Sequence, residues 1–242
     1  MRFSEKTRGI VLQQIKYSDG QVIVQMYTEQ FGRQPFIFRK TKKKGGGLNI
    51  IHPLFLLEID LSFKENRQIQ RAIEISNTPY FVDIPFNVYK SSMAIFLAEV
   101  LSKVLIEEEG NKHLFEFLHN SILLLDEIED GLANFHIVFL YQLSKYLGFY
   151  PEKNLSGNQK HFNIAEGRYS AWSENIEYLL NKQESRLFTM LAEIGFSEIN
   201  ELKLSRGQRQ SLLIILLDYY RYHLPEMGKV KSLEILKQIF EG

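Results

Sequence analysis

The 242-residue chain carries 29 basic and 29 acidic side chains and no cysteine, and 45% of its residues are hydrophobic. That hydrophobic content is typical of a globular chain able to bury a core, and the lack of cysteine excludes disulfides, thiolate catalysis and Cys-ligated zinc. No apolar run reaches the roughly 18 residues of a membrane span, and residues 1–6 lack the apolar core of a secretory signal, so we expect a cytoplasmic protein with no membrane partner.

The zero net charge conceals an uneven distribution along the chain. Residues 1–80 carry 13 Lys and Arg against 7 Asp and Glu, a net +6, whereas residues 81–242 carry 16 against 22, a net −6. A basic first third and an acidic remainder predict two domains with different partners, at residues 1–80 and 81–242.

The first 80 residues have the alternation and turn residues of a small β-domain. Predicted strands cover residues 7–17, 21–28, 33–39, 52–63 and 69–76. Five strands joined by short turns suit a closed barrel, because closure removes exposed strand edges. The five-stranded OB-fold is the natural candidate, and its open face and loops bind nucleic acid.

A basic, glycine-rich stretch joins the third and fourth predicted strands. Five of the six residues from 39 to 44 are cations, and glycines follow at positions 45–47. Side-chain packing cannot hold three adjacent glycines in one conformation, so we predict a mobile loop that attracts polyanions; a solvated hairpin tip is the alternative. The candidate DNA-binding residues here are the loop cations and two flanking ones: Arg39, Lys40, Lys42, Lys43, Lys44, Arg33 and Lys16.

Aromatic residues lie close to these cations in the same strands. Single-stranded nucleic acid is commonly held by cations along the phosphates and by aromatic rings stacked on bases, each stack worth ~1–3 kcal/mol. For each ring we nevertheless favour a position in the barrel core. The prediction of DNA binding therefore rests on the cations. The rings concerned are Tyr27, Phe36, Phe38, Phe55 and Phe63.

Beyond Pro79 the apolar spacing becomes helical. Predicted helices cover residues 85–106, 112–125, 132–147, 173–180, 185–194, 205–223 and 229–240, with Ser205 as an N-cap. Residues 151–171 are polar and lack periodicity, which predicts a long surface segment. The expected fold class is therefore α+β, an N-terminal five-stranded OB-fold β-barrel followed by an all-helical C-terminal domain.

Two cations begin the helix that follows Ser205. Arg206 and Arg209 lie in its first turn, where positive charge opposes the helix dipole. This placement indicates an anionic partner, and both join the candidate DNA-binding residues. A surface pair neutralised by Glu198 or Glu201 is the alternative.

The motifs of common enzyme classes are missing. The sequence has no phosphate-binding loop, dinucleotide fingerprint, zinc-protease motif or nucleophile elbow, and its six histidines include no i, i+4 pair. Only Glu58 and Asp60 lie on the fourth predicted strand, where a metal-dependent nuclease would need converging carboxylates. We therefore expect no catalytic residue, metal or cofactor. A nuclease and a protein-binding scaffold remain as alternatives.

An ordered set of segments runs through the whole chain. They are TRGIVL at 7–12, YSD at 17–19, YTEQFG at 27–32, PLFLLE at 53–58, AEVL at 98–101, LFEFL at 114–118, LSKYLGFYP at 143–151 and YYRYH at 219–223. Together with the basic loop, these segments resemble the bacterial RecO family of recombination mediators. The resemblance implies an OB-fold followed by a helical domain, as predicted above.

The resemblance also implies an activity and partners. Members of the family bind single- and double-stranded DNA, anneal complementary strands and, with RecR, help to load RecA onto DNA coated by the single-stranded DNA-binding protein. The implied protein partners are RecR and the acidic C-terminal tail of that coating protein, and no nucleotide hydrolysis is implied. Many members carry a four-cysteine zinc site after the segment matching residues 148–151, but this chain has no cysteine, so no metal is carried over.

Overall fold

The computed structural model describes residues 5–39, 51–153, 161–171 and 178–241. The chain divides into two compact units, residues 1–127 with 229–242, and residues 128–228. The first unit contains the residues of the predicted barrel together with the helices that follow it, and the division at residue 80 stays a prediction. No helix in the described part of the chain has the length and hydropathy needed to cross a membrane.

Five antiparallel strands form the sheet of the first unit: β1 Glu5–Ser18, β2 Gln21–Thr28, β3 Gly32–Arg39, β4 Leu56–Leu61 and β5 Ala72–Asn77. Their order in the sheet is β3-β2-β1-β4-β5. Just before β5, the N–H of Gln70 donates to the Pro35 carbonyl at 2.8 Å, and its carbonyl accepts from the Ile37 N–H at 3.1 Å. These bonds join β3 to the segment that leads into β5, so the sheet closes on itself, and the predicted OB-fold class is confirmed.

The interior of the barrel is aliphatic and aromatic. Ile10, Val24, Met26 and Phe36 are completely buried, which confirms the barrel-core interpretation for the Phe36 ring. Tyr27 is 2% exposed, but it alternates with Met26 along β2 and stacks on Phe115, with ring centroids 6.4 Å apart. Phe63 instead stacks on Phe31 with ring centroids 4.1 Å apart, and both rings are half-buried.

The strand predicted from residue 52 begins later than expected. Residues 52–54 form a turn in which Leu54 adopts a φ of 63°, and its N–H donates to the Val11 carbonyl at 2.8 Å. Because this left-handed conformation interrupts the strand ladder, β4 starts only at Leu56.

Among the described residues, six α-helices follow in chain order: α1 Val88–Val104, α2 Lys112–Glu127, α3 Phe135–Tyr146, α4 Lys182–Leu191, α5 Arg206–His223 and α6 Leu233–Glu241. In the first unit, the Asn87 side chain accepts from the N–H groups of Tyr89 and Lys90 and so starts α1 three residues after Pro85. α6 returns to pack beside α1, and the Glu99 carboxylate accepts from the N–H groups of Lys231 and Ser232 at 2.9 and 2.7 Å.

The second unit combines α3, α4 and α5 with a short hairpin, β6 His161–Asn163 and β7 Arg168–Ser170. Ser205 and Gln208 form a capping box at the start of α5, which confirms the predicted N-cap. Residues 161–170 are not the surface segment that we expected, because Phe162 is completely buried. The helix predicted over residues 173–180 falls largely outside the described residues.

Candidate nucleic-acid interface

One end of the barrel sheet gathers three candidate features. Strand pairing aligns Ser18 with Gln21 and Gln21 with Arg39, so the backbone of Arg39 lies beside the turn that joins β1 to β2. Lys16 lies on β1 just before that turn. The chain continues from this sheet end into the basic loop, whose cations Lys40, Lys42, Lys43 and Lys44 lie outside the described residues.

The charge of Lys16 is accessible at this end. Its side chain is 69% exposed and its Nζ lies 3.0 Å from the carboxylate of Asp19, which is fully exposed. A surface pair of this kind is worth about 0–1 kcal/mol and is screened by salt. A phosphate can therefore replace Asp19 as the partner of Lys16 at little cost.

An aromatic ring accompanies Lys16 on the same hairpin. Residues 13–18 are all exposed, and Tyr17 is 59% exposed although it is a large aromatic residue. Cations and exposed aromatic rings on one surface are the combination that holds unpaired nucleic-acid strands. The sequence predicts that Tyr17 ends a strand, but it does not show whether the ring is buried. The exposure of residues 13–18 in the structure distinguishes Tyr17 from the buried rings of the core.

Arg33 lies at the opposite end of β3. Six residues separate it from Arg39, a distance of about 20 Å along a strand. Its N–H donates to the Glu107 carbonyl at 2.8 Å and its guanidinium to the Leu105 carbonyl at 3.4 Å. Arg33 therefore holds the chain between α1 and α2, away from the turn that carries Lys16.

Arg206 and Arg209 belong to the second unit. Arg206 is exposed at the first residue of α5, whereas the Arg209 guanidinium donates to the Leu204 carbonyl at 2.7 Å. Burial, with Arg209 as a smaller cause, lowers the pKa of His136 to about 3. The ion pairs found in the described part of the chain do not join either arginine to Glu198 or Glu201.

An open cavity of about 620 Å³ lies beside the start of α5. Arg209 and Lys203 supply two cations to its lining, and Asp130 supplies a carboxylate. The cavity is polar and mixed in charge, so its lining does not select an anion by charge alone.

The carboxylates considered for a nuclease remain separate. Asp60 pairs with Lys6 at 3.7 Å, and Glu58 lies across from Arg8 in the ladder between β1 and β4. Over the described ranges, no three His, Asp or Glu side chains come together in a group that could hold a metal ion.

Comparison with known proteins gives matches along the chain. Residues 1–78 match the family model described as "Recombination protein O N terminal", and residues 86–234 match "Recombination protein O C terminal". The chain is 34% identical over 241 residues to the DNA repair protein RecO of Bacteroides fragilis, covering 98% of this chain and 99% of the relative. It is 36% identical over 240 residues to the DNA repair protein RecO of Flavobacterium psychrophilum, covering 97% and 98%.

Proposed function

Because the chain belongs to the RecO family of DNA repair proteins, we propose that it binds single- and double-stranded DNA without sequence preference and anneals complementary strands. With RecR, it helps to load RecA onto DNA coated by the single-stranded DNA-binding protein. The proposal places this activity in the cytoplasm, and it requires binding without any catalytic step.

The observation that supports the DNA-binding part is the sheet end shared by Lys16 and Arg39. The register of β1, β2 and β3 places their backbones at one end of a closed barrel, and the cation-rich loop continues from Arg39. In the OB-fold, the loop between the first two strands is among those that bind oligonucleotides. Lys16, Arg39, Lys40, Lys42, Lys43 and Lys44 are the proposed phosphate contacts, with Tyr17 as a ring for base stacking.

The proposed mechanism is electrostatic. Cations that contact phosphates release condensed counterions, so affinity falls as salt rises, with a slope of about −0.7 per phosphate on single strands. Phosphates carry no sequence information, and binding is therefore independent of sequence. Two strands held on one cationic surface repel each other less, which favours their annealing.

The proposed protein partners are RecR and the tail of the single-stranded DNA-binding protein. Residues 81–242 carry a net charge of −6, which disfavours broad contact with DNA over this part of the chain. We therefore assign partner docking to it. An acidic tail that ends in an apolar residue requires an apolar pocket next to a cation.

The test is a fluorescence-anisotropy titration of two unrelated labelled single strands at three salt concentrations. We expect equal affinities for both sequences and a steep loss of affinity with salt, followed by accelerated strand annealing in a second assay. Replacing Lys42, Lys43 and Lys44 together by Ala is expected to reduce the salt slope by about 2, at 0.7 per lost contact.

Arg33→Ala is the matched control, because it removes a cation from the same strand at the other sheet end. We expect an unchanged salt slope for this variant. An unchanged slope in the triple variant would remove the loop from the mechanism, and no binding at low salt would leave a protein-binding scaffold as the better description.

A further inference from the structure

The last helix of the chain, α6, depends on another helix for its first turn. The N–H groups at the start of a helix need acceptors, and a neighbouring side chain commonly supplies one. In α1, α2, α4 and α5 that side chain belongs to the residue directly before the helix, namely Asn87, Asn111, Asn181 and Ser205. In α6 the acceptor is Glu99 of α1, which lies 133 positions before Ser232 in the sequence.

The Glu99 carboxylate accepts three hydrogen bonds from the start of α6. The N–H groups of Lys231 and Ser232 donate to it at 2.9 and 2.7 Å, and the Ser232 hydroxyl donates at 2.6 Å. Burial raises the pKa of Glu99, but these hydrogen bonds outweigh burial and hold the pKa below its usual range. A charged acceptor therefore completes the first turn of α6 only while the helix lies on α1.

The remainder of α6 is held by few contacts. Among residues 233–240, Leu236 is the one buried residue, at 2% exposure, whereas ten of the 17 residues of α1 are buried. Ile235 is 48% exposed, and the Phe240 ring meets Tyr89 edge-on with ring centroids 5.3 Å apart. Isolated helices shorter than about 12–15 residues are marginal in water, and α6 has nine residues. We infer that α6 is helical because it is docked.

The two helices lie antiparallel along one face of α1. The start of α6 meets Glu99, whereas Phe240 meets Tyr89, ten residues earlier in α1. Helical periodicity places Ser92 and Phe96 on the same face between these contacts, and both are buried. At 1.5 Å per residue the face is about 15 Å long, which a helix of about three turns covers.

The chemistry of this face selects a helix as its occupant. α6 places Leu233, Leu236 and Phe240 at i, i+3 and i+7, the spacing at which an amphipathic helix fills a groove. Its first N–H groups meet a carboxylate, and the start of a helix carries partial positive charge. A phosphate would meet the same carboxylate unfavourably, so a nucleic acid does not fit.

We propose that α6 is a detachable helix covering a face of α1 that binds an amphipathic helix of a partner protein. Segments with few buried side chains open locally while the rest of a protein stays folded. When α6 opens, a partner helix with the same apolar spacing takes its place, so α6 controls access to the face. This inference does not depend on DNA binding and is tested in its absence.

The first test is hydrogen exchange of the full chain, followed by mass spectrometry. We expect the α6 amides to be at least about a hundredfold less protected than those of α1, because α6 opens without global unfolding. Glu99→Gln is expected to reduce the protection of α6 by at least about tenfold more, since hydrogen bonds to a charged acceptor are the stronger kind. The protection of α2 is expected to stay the same in this variant.

Glu108→Gln is the matched control, because Glu108 is an exposed carboxylate in the connection between α1 and α2. We expect this variant to leave the exchange of α6 unchanged. Equal protection of α6 and α1 in the unmodified chain overturns the proposal. It is also wrong if Glu99→Gln leaves the protection of α6 as it was.

The second test measures binding to the uncovered face. Leu236→Asp places a charge in the buried contact of α6 and leaves α1 unaltered in sequence. The probe is a fluorescently labelled peptide of residues 229–242, KVKSLEILKQIFEG. We expect the Leu236→Asp chain to bind this peptide at least about ten times more tightly than the unmodified chain, in which the tethered α6 competes at a roughly millimolar effective concentration.

The same peptide carrying Leu236→Asp is the control probe, and we expect it to bind neither chain. Equal binding of the natural peptide to both chains would place its site away from α1 and contradict the proposal. Lack of binding to either chain would show that the face does not accept a helix in trans and would contradict it as well. The hydrogen-exchange test on the unmodified chain decides whether α6 detaches even if Leu236→Asp impairs folding.

Discussion

Arg8 connects three parts of the first unit through a single side chain. Its guanidinium donates to both carboxylate oxygens of Glu29 at 2.8 Å, pairs with Glu116 and lies 5.1 Å from the ring centre of Phe115. β1, the turn after β2 and α2 therefore meet at this residue. The sequence placed Arg8 on a strand, but no spacing signal links it to partners 21 and 108 positions away.

The pair formed by Arg8 and Glu29 is expected to make the stability of the protein depend on pH. The hydrogen bond from Arg8 is the largest influence on Glu29 and holds the pKa of that carboxyl below its usual range. A lowered carboxyl pKa in the folded state stabilises the protein above the ordinary pKa of Glu, and this stabilisation is lost as the pH falls.

We predict that Arg8→Met lowers the free energy of unfolding by about 1–2 kcal/mol at pH 7, a value reduced for partial exposure of the ion pair. The difference from the unmodified protein is expected to shrink as the pH falls below the ordinary pKa of Glu and through the lowered pKa of Glu29, because the carboxylate that Arg8 binds is then protonated. Urea denaturation at pH 7 and pH 4 measures this change.

Lys6→Met is the control, because Lys6 is 83% exposed and only 3.7 Å from Asp60. We expect a change within about 0.5 kcal/mol. A difference between Arg8→Met and the unmodified protein that is the same at both pH values would contradict the role assigned to Glu29.

The sequence did not predict the β6–β7 hairpin, which is stabilised by aromatic packing around Phe162. Phe162 lies between the rings of Tyr169, Phe188 and Tyr219, with centroid distances of 5.0, 4.4 and 5.8 Å. The Phe162 N–H also donates a hydrogen bond to the Ser185 hydroxyl at 2.9 Å. Strands of three residues are too short to show alternation, and two of the three packing partners, Phe188 and Tyr219, come from helices later in the chain.

The aromatic cluster predicts a hairpin that is stable without metal. We expect Phe162→Ala to lower the free energy of unfolding by about 3–5 kcal/mol, since it removes a fully buried ring. The melting temperature of the unmodified protein is expected to stay unchanged after treatment with a chelator. Thermal denaturation with and without chelator measures both effects.

Met190→Ala provides the comparison on α4, because Met190 is 39% exposed. A loss of about 1 kcal/mol or less is expected there. A chelator-induced fall in melting temperature would show that a metal stabilises the fold and would contradict the packing explanation.

At the scale of the molecule, periodicity predicted the fold class and most of its elements. The change from alternating to helical spacing near Pro79 separated the barrel from the helices, and β2 has the bounds that were predicted. The return of α6 to the first unit could not be predicted, because its contact with Glu99 joins residues more than 130 positions apart. The candidate site was likewise only partly predictable. Composition identified the basic loop, but the strand register was needed to show that Lys16 lies near Arg39, where the loop begins.

The opposite charges of residues 1–80 and 81–242 predict that the two parts of the chain bind different ligands. If DNA binds at the basic loop and the acidic protein tail binds elsewhere, replacing Lys42, Lys43 and Lys44 by Ala must affect the two ligands differently. We expect the triple variant to lose DNA affinity while its affinity for a synthetic acidic tail peptide changes by less than about twofold, within 0.4 kcal/mol.

Fluorescence anisotropy with labelled DNA and labelled peptide, in the same low-salt buffer, measures both affinities. A peptide of the same charge without its terminal apolar residue is the control, and we expect it to bind weakly to either protein, because the apolar residue provides the contact that charge alone does not. A parallel loss of DNA and peptide affinity in the triple variant would mean that both anions use the basic loop. The assignment of the tail to the helical part of the chain would then be wrong, and the two ligands would compete for one surface.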